Sequence, residues 1–63
     1  MELLTIEEVA TRLRTPVPTL RYWRHKGEGP RSFRLGRRVM YRSEDVEEWV
    51  RARIATARTG GAA

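Results

Sequence analysis

Sixty-three residues are enough for one domain with one small core, because a chain this short buries only about 60% of its unfolded surface. It has no cysteine, which excludes disulfide staples and cysteine-based zinc sites. A net charge of +5 and a pI of 11.1, carried almost wholly by arginine, argue for an anionic partner.

The first predicted element is a helix over about residues 6–13. Thr5 and Glu8 have the spacing of a capping box, flanked by Leu4 and Val9 at the staple positions. Ile6, Val9, Ala10 and Leu13 then fall on one helical face. Arg14-Thr15-Pro16 ends the helix, because a residue before proline avoids helical dihedrals. Thr15 is expected to cap a second helix that begins at Pro16 and runs to about Lys26, with Gly27 as its stop. So short a connection forces a steep crossing, as in a helix-turn-helix.

The second helix has a narrow apolar stripe of Val17, Leu20 and Trp23. Its other side presents Pro18, Thr19, Arg21, Tyr22, His25 and Lys26. Arg24 falls near the edge of the stripe, its head expected to find an acid or a phosphate. After a Gly27–Pro30 loop, Phe33-Arg34-Leu35 and Val39-Met40-Tyr41-Arg42 read as the strands of a hairpin. A three-residue loop would pair Leu35 with Val39 and Phe33 with Tyr41, keeping one apolar face, and that register is expected. Arg34 then lies on the other face, with Arg37 and Arg38 near the tip. Ser43 is the expected cap of a third helix, whose acidic first turns suit the positive helix end. Val46, Trp49, Val50 and Ile54 form its apolar face. Trp23, Phe33, Tyr41 and Trp49 are all expected in the core. Residues 1–56 are read as the domain and 57–63 as a flexible tail.

The charge is unevenly placed. Residues 12–42 hold ten bases and one acid, whereas residues 43–50 carry four acids and no base. A charged outer helix face is routine by itself. This one belongs to the second helix of a tight pair inside a strongly basic segment, which favours duplex DNA as partner. Arg21 suits a guanine edge, Tyr22 a phosphate, and the wing arginines a narrow minor groove. Glu44 and Glu48 are explained by the helix start, and the single histidine, His25, has no evident metal partner. The fold class expected is mainly α with a small two-stranded wing, without catalytic residues, metal or cofactor.

The strings Leu4-Thr5-Ile6-Glu7-Glu8-Val9-Ala10, Thr19-Leu20-Arg21-Tyr22-Trp23, Arg34-Leu35-Gly36-Arg37-Arg38 and Asp45-Val46-Glu47-Glu48-Trp49 together resemble the excisionase-type branch of MerR-like winged helix-turn-helix domains. The resemblance covers about residues 3–54. It implies a second helix in the major groove through Pro18, Thr19, Arg21, Tyr22, His25 and Lys26, and a wing gripping the adjacent minor groove through Arg34, Arg37 and Arg38. Many relatives have a small polar residue where this chain has Pro18, which removes one polar base contact. The resemblance further implies side-by-side binding of copies, DNA bending and a partner integrase steered towards excision. Short MerR-like transcriptional regulators share the domain and are the alternative. With only short apolar runs and a DNA partner, the expected location is the cytoplasm, on the nucleoid of a bacterial host.

Overall fold

The computed structural model describes the backbone of residues 1–60 and the side chains of residues 1–58. In chain order the elements are β1 (Leu3–Thr5), α1 (Ile6–Leu13), α2 (Val17–Lys26), β2 (Ser32–Leu35), β3 (Arg38–Arg42) and α3 (Ser43–Gly60). The three strands form an antiparallel sheet in the order β1-β3-β2. A tight helix pair with a hairpin and a third helix behind it is a winged helix-turn-helix.

Helix α1 starts on the expected capping box. The Glu8 amide donates to Thr5 Oγ1 at 3.1 Å, and the Thr5 amide donates to Glu8 Oε1 at 2.8 Å. It stops at Arg14, which takes a left-handed conformation (φ 51°) and donates its amide to the carbonyls of Ala10 and Thr11. Helix α2 begins one residue later than expected. Pro16 keeps an extended backbone (φ −61°, ψ 145°), and its carbonyl accepts from the amides of Thr19 and Leu20. The Thr15 hydroxyl therefore caps nothing and donates to the Leu13 carbonyl. Gly27 ends α2 in the left-handed region, as expected. Gly29 is fixed by close approach as well as by its φ of 79°, since an added Cβ would stand 3.1 Å from Trp23.

The core joins every layer. Leu4 of β1, Ile6 and Val9 of α1, Leu20 of α2, Tyr41 of β3 and Val46 of α3 are buried together. Ala10, Leu13, Val17, Trp23 and Val39 pack around them.

Several expectations need correction. The wing belongs to a three-stranded sheet, because Leu3–Thr5 pairs with β3 and sets Leu4 opposite Tyr41. The hairpin loop has two residues, not three: Leu35 pairs with Arg38, Arg34 with Val39 and Phe33 with Met40. Gly36 alone at the tip has positive φ (65°), the pattern of a turn whose twist matches that of the strands. A one-residue slip turns each side chain to the opposite face. Tyr41 and Val39 stay on the core side, and Phe33 and Leu35 turn outwards, 38% and 55% exposed. Arg34 thereby shares the face of Val39.

Trp23 and Trp49 are half-buried on the flank of the core, their rings 5.3 Å apart and tilted by 42°. Ile54 is 51% exposed, because α3 meets the sheet only through its first turns. Ser43 is the first residue of α3, not its cap, since β3 runs into the helix without a loop. The helix also continues past residue 56 to Gly60, as Ala57 and Arg58 favour helix and nothing breaks it earlier. The expected tail is thus helical as far as Gly60, and residues 61–63 lie outside the described residues.

The β3–α3 junction is held by a bidentate pair. Arg42 Nε and Nη2 donate to Asp45 Oδ2 and Oδ1, both at 2.9 Å. These hydrogen bonds hold the Asp45 carboxyl below its usual range. A depressed carboxylate stabilises the fold above its unfolded pKa, about 3.9, and that contribution is lost as pH falls through the lower folded value. Asp45→Asn is expected to melt below the wild type at neutral pH, with the gap closing in acid. Thermal melts of both proteins from about pH 2 to about pH 7 check this.

Candidate nucleic-acid interface

Helix α2 presents its outer face to solvent because Leu20 anchors the inner one. Pro18, Arg21, Tyr22, His25 and Lys26 are exposed, and Thr19 is half-buried at the edge. Tyr22 is 56% exposed, with the Lys26 ammonium 5.2 Å from its ring centre. That contact orients a hydroxyl and a cation together on one helical turn.

The wing stands beside this helix. A groove of about 230 Å³ is lined by Arg21 and Arg24 of α2, Arg37 and Arg38 at the hairpin tip, Val39, and Thr5, Ile6 and Glu7 at the start of α1. Four guanidinium groups thus line one open groove with one carboxylate. Of the residues singled out from sequence, the fold brings Arg21, Arg37 and Arg38 together here. Pro18, Thr19, Tyr22, His25 and Lys26 lie along the helix outside this groove, and Arg34 stands exposed on β2. None of these six basic side chains, Arg21, Lys26, Arg34, Arg37, Arg38 or His25, has an ion pair among those the described residues form, whereas Arg12, Arg42 and Arg51 are paired with Glu2, Asp45 and Glu47.

Arg24, expected to meet an acid or a phosphate, meets a serine hydroxyl within the chain instead. Its Nε donates to Ser32 Oγ at 3.1 Å, tying α2 to the first residue of the wing. Burial pushes the nearby Tyr41 phenol up, and the charge of Arg24 works against that rise. The Arg21–Arg24 spacing, one helical turn, was the signal that both could face the wing.

A wider open cleft of about 650 Å³ lies between the Gly27–Ser32 segment and α3. Its charges are mixed: Arg24, Arg31 and Arg42 face Asp45 and Glu48. Among the described residues, no three histidine, aspartate or glutamate side chains are grouped to hold a metal ion. No described helix is long and apolar enough to cross a membrane.

A family model described as a helix-turn-helix domain matches residues 3–54. No curated protein and no solved structure matches the chain.

Proposed function

The chain belongs to the helix-turn-helix domain family, a family of DNA-binding domains with excisionase-like members, and on that premise we propose that it is an architectural DNA-binding protein acting as an excisionase. The arginine groove between α2 and the wing carries this reading. A duplex offers a phosphate ridge between its two grooves. With α2 in the major groove and the wing tip over the minor groove, that ridge runs along Arg21, Arg24, Arg37 and Arg38. Pro18, Thr19, Arg21, Tyr22, His25 and Lys26 then face base edges and flanking phosphates, and Arg34, Arg37 and Arg38 grip the minor groove. The role is non-catalytic: the protein shapes DNA and a partner integrase performs the chemistry.

One protomer covers about one turn of DNA or less, too little for a unique genomic site. Several copies must therefore bind side by side. Glu44, Glu47 and Glu48 are exposed on α3 and can meet basic side chains of the next copy. Such a head-to-tail contact does not close, so it propagates along the duplex and bends it. It is too small to hold copies together without DNA. The expected result is a monomer by sedimentation and cooperative gel shifts on three direct repeats, about one turn apart, compared with one. A stable symmetric dimer that binds only a palindrome would instead favour the MerR-like regulator.

A further inference from the structure

The hairpin register leaves an apolar side chain at the tip of a basic wing. Leu35 is the last residue of β2, immediately before the Gly36-Arg37 turn, and is 55% exposed. Phe33 stands on the same face one pleat behind it, 38% exposed, with Met40 directly across. The side chains of these three share the face of the wing opposite Val39 and Tyr41. Arg34, Arg37 and Arg38 surround Leu35 in sequence, and Arg38 is its cross-strand partner. Residues 29–43 contain five arginines and no acid.

We propose that Leu35, backed by Phe33, is an apolar wedge that enters the minor groove with the wing tip, inserts between two base pairs and kinks the duplex. The inference rests on the DNA-binding reading and assigns the bend to a particular side chain. Charge at the tip, where Arg37 and Arg38 adjoin Leu35, identifies the occupant. A second copy of the wing would set like-charged arginines against each other, and a neutral protein surface would leave them unmatched. The minor groove supplies negative walls for the arginines and, once a base step opens, apolar base faces for the leucine.

Dimensions support the tip as the inserting part. A minor groove about 6 Å wide does not admit two paired strands whose backbones alone lie about 5 Å apart. The two-residue turn is the narrowest part of the wing, so the tip enters before the paired strands do. Unstacking then widens the groove around the tip. Phe33 and Met40 form an apolar base behind Leu35, and β3, the central strand, holds that base to the sheet. Pyrimidine–purine steps unstack most easily, so the kink is expected at TA or CA/TG.

The test uses the full chain at low salt and an A·T-rich duplex with one central TA step. The duplex carries 2-aminopurine at that step and a fluorophore pair at its ends. Wild type is expected to raise the 2-aminopurine emission and shorten the end-to-end distance. Leu35→Ala should keep the wild-type melting temperature, because the side chain is exposed, and bind within a few-fold, because phosphate contacts dominate affinity. It should lose both the emission rise and the shortening, and Leu35→Met should keep them. If wild type binds without unstacking, or Leu35→Ala bends the duplex as wild type does, the wedge is wrong while the DNA-binding reading stands. If wild type fails to bind the duplex at all, the DNA-binding reading falls and the wedge falls with it.

Discussion

Leu20→Ala is expected to unfold most of the protein at about 25 °C. Leu20 is 1% exposed and sits where α2 meets Leu4, Ile6, Val9, Tyr41 and Val46. Truncating a buried leucine to alanine costs about 2–5 kcal/mol, the lost transfer energy plus the cavity left behind. A core in a domain of this size rarely supplies more than about 3–5 kcal/mol of net stability. The two figures overlap, so one residue decides whether the domain folds. Trp49→Ala should do less harm despite the larger side chain. Its ring is half-buried on the flank, and its specific contact with Trp23 is an aromatic pair worth about 0.5–1.5 kcal/mol beyond its buried area. Circular dichroism melts of both variants give the comparison. A Leu20→Ala protein that melts with the wild type, or below which Trp49→Ala falls, would show that the core is centred elsewhere.

The readable parts of this sequence are those whose chemistry is local. The Thr5–Glu8 capping box closes within four consecutive residues, so it holds whatever surrounds it. Gly27 ends α2 for an equally local reason. Strand β1 gave no such signal, because three residues become a strand only when Met40, Tyr41 and Arg42 lie opposite them. The hairpin register departs from the apolar alternation for a related reason. Keeping every apolar residue on one face favoured a three-residue loop, but the two-residue turn fits the twist of the strands, and the core is already filled by helical leucine, isoleucine and valine. The rule that apolar residues face inwards fails at Phe33 and Leu35, on the wing proposed to meet DNA. A departure from local consistency is expected where function sets the residue. The arginines of the interface were legible as charge, but their convergence was not: Arg24 joins Arg21, Arg37 and Arg38 only through the packing of the wing beside α2.

Binding to duplex DNA is expected to weaken by about 250- to 1,000-fold between 50 and 200 mM salt, from a slope of about −4 to −5 in log affinity against log salt. That slope corresponds to about four to six phosphates neutralised per protomer. Arg12 and Arg42 are engaged with Glu2 and Asp45, so they contribute little. Arg21, Arg24, Arg37 and Arg38 line the groove, with Lys26 and Arg34 exposed beside them, which sets the upper bound. Two substitutions separate charge from readout. Arg37→Ala should lower the slope by about 1, weaken binding to most sequences and remove the preference for narrow, A·T-rich minor grooves. Arg21→Ala should cost about 1–3 kcal/mol on the preferred site and relax the preference at one base pair. Fluorescence anisotropy titrations on preferred and random duplexes across this salt range resolve both effects. A slope near zero in the wild type would remove the polyanion from the account of the groove, and an equal loss on both duplexes for Arg21→Ala would move that residue from the bases to the phosphates.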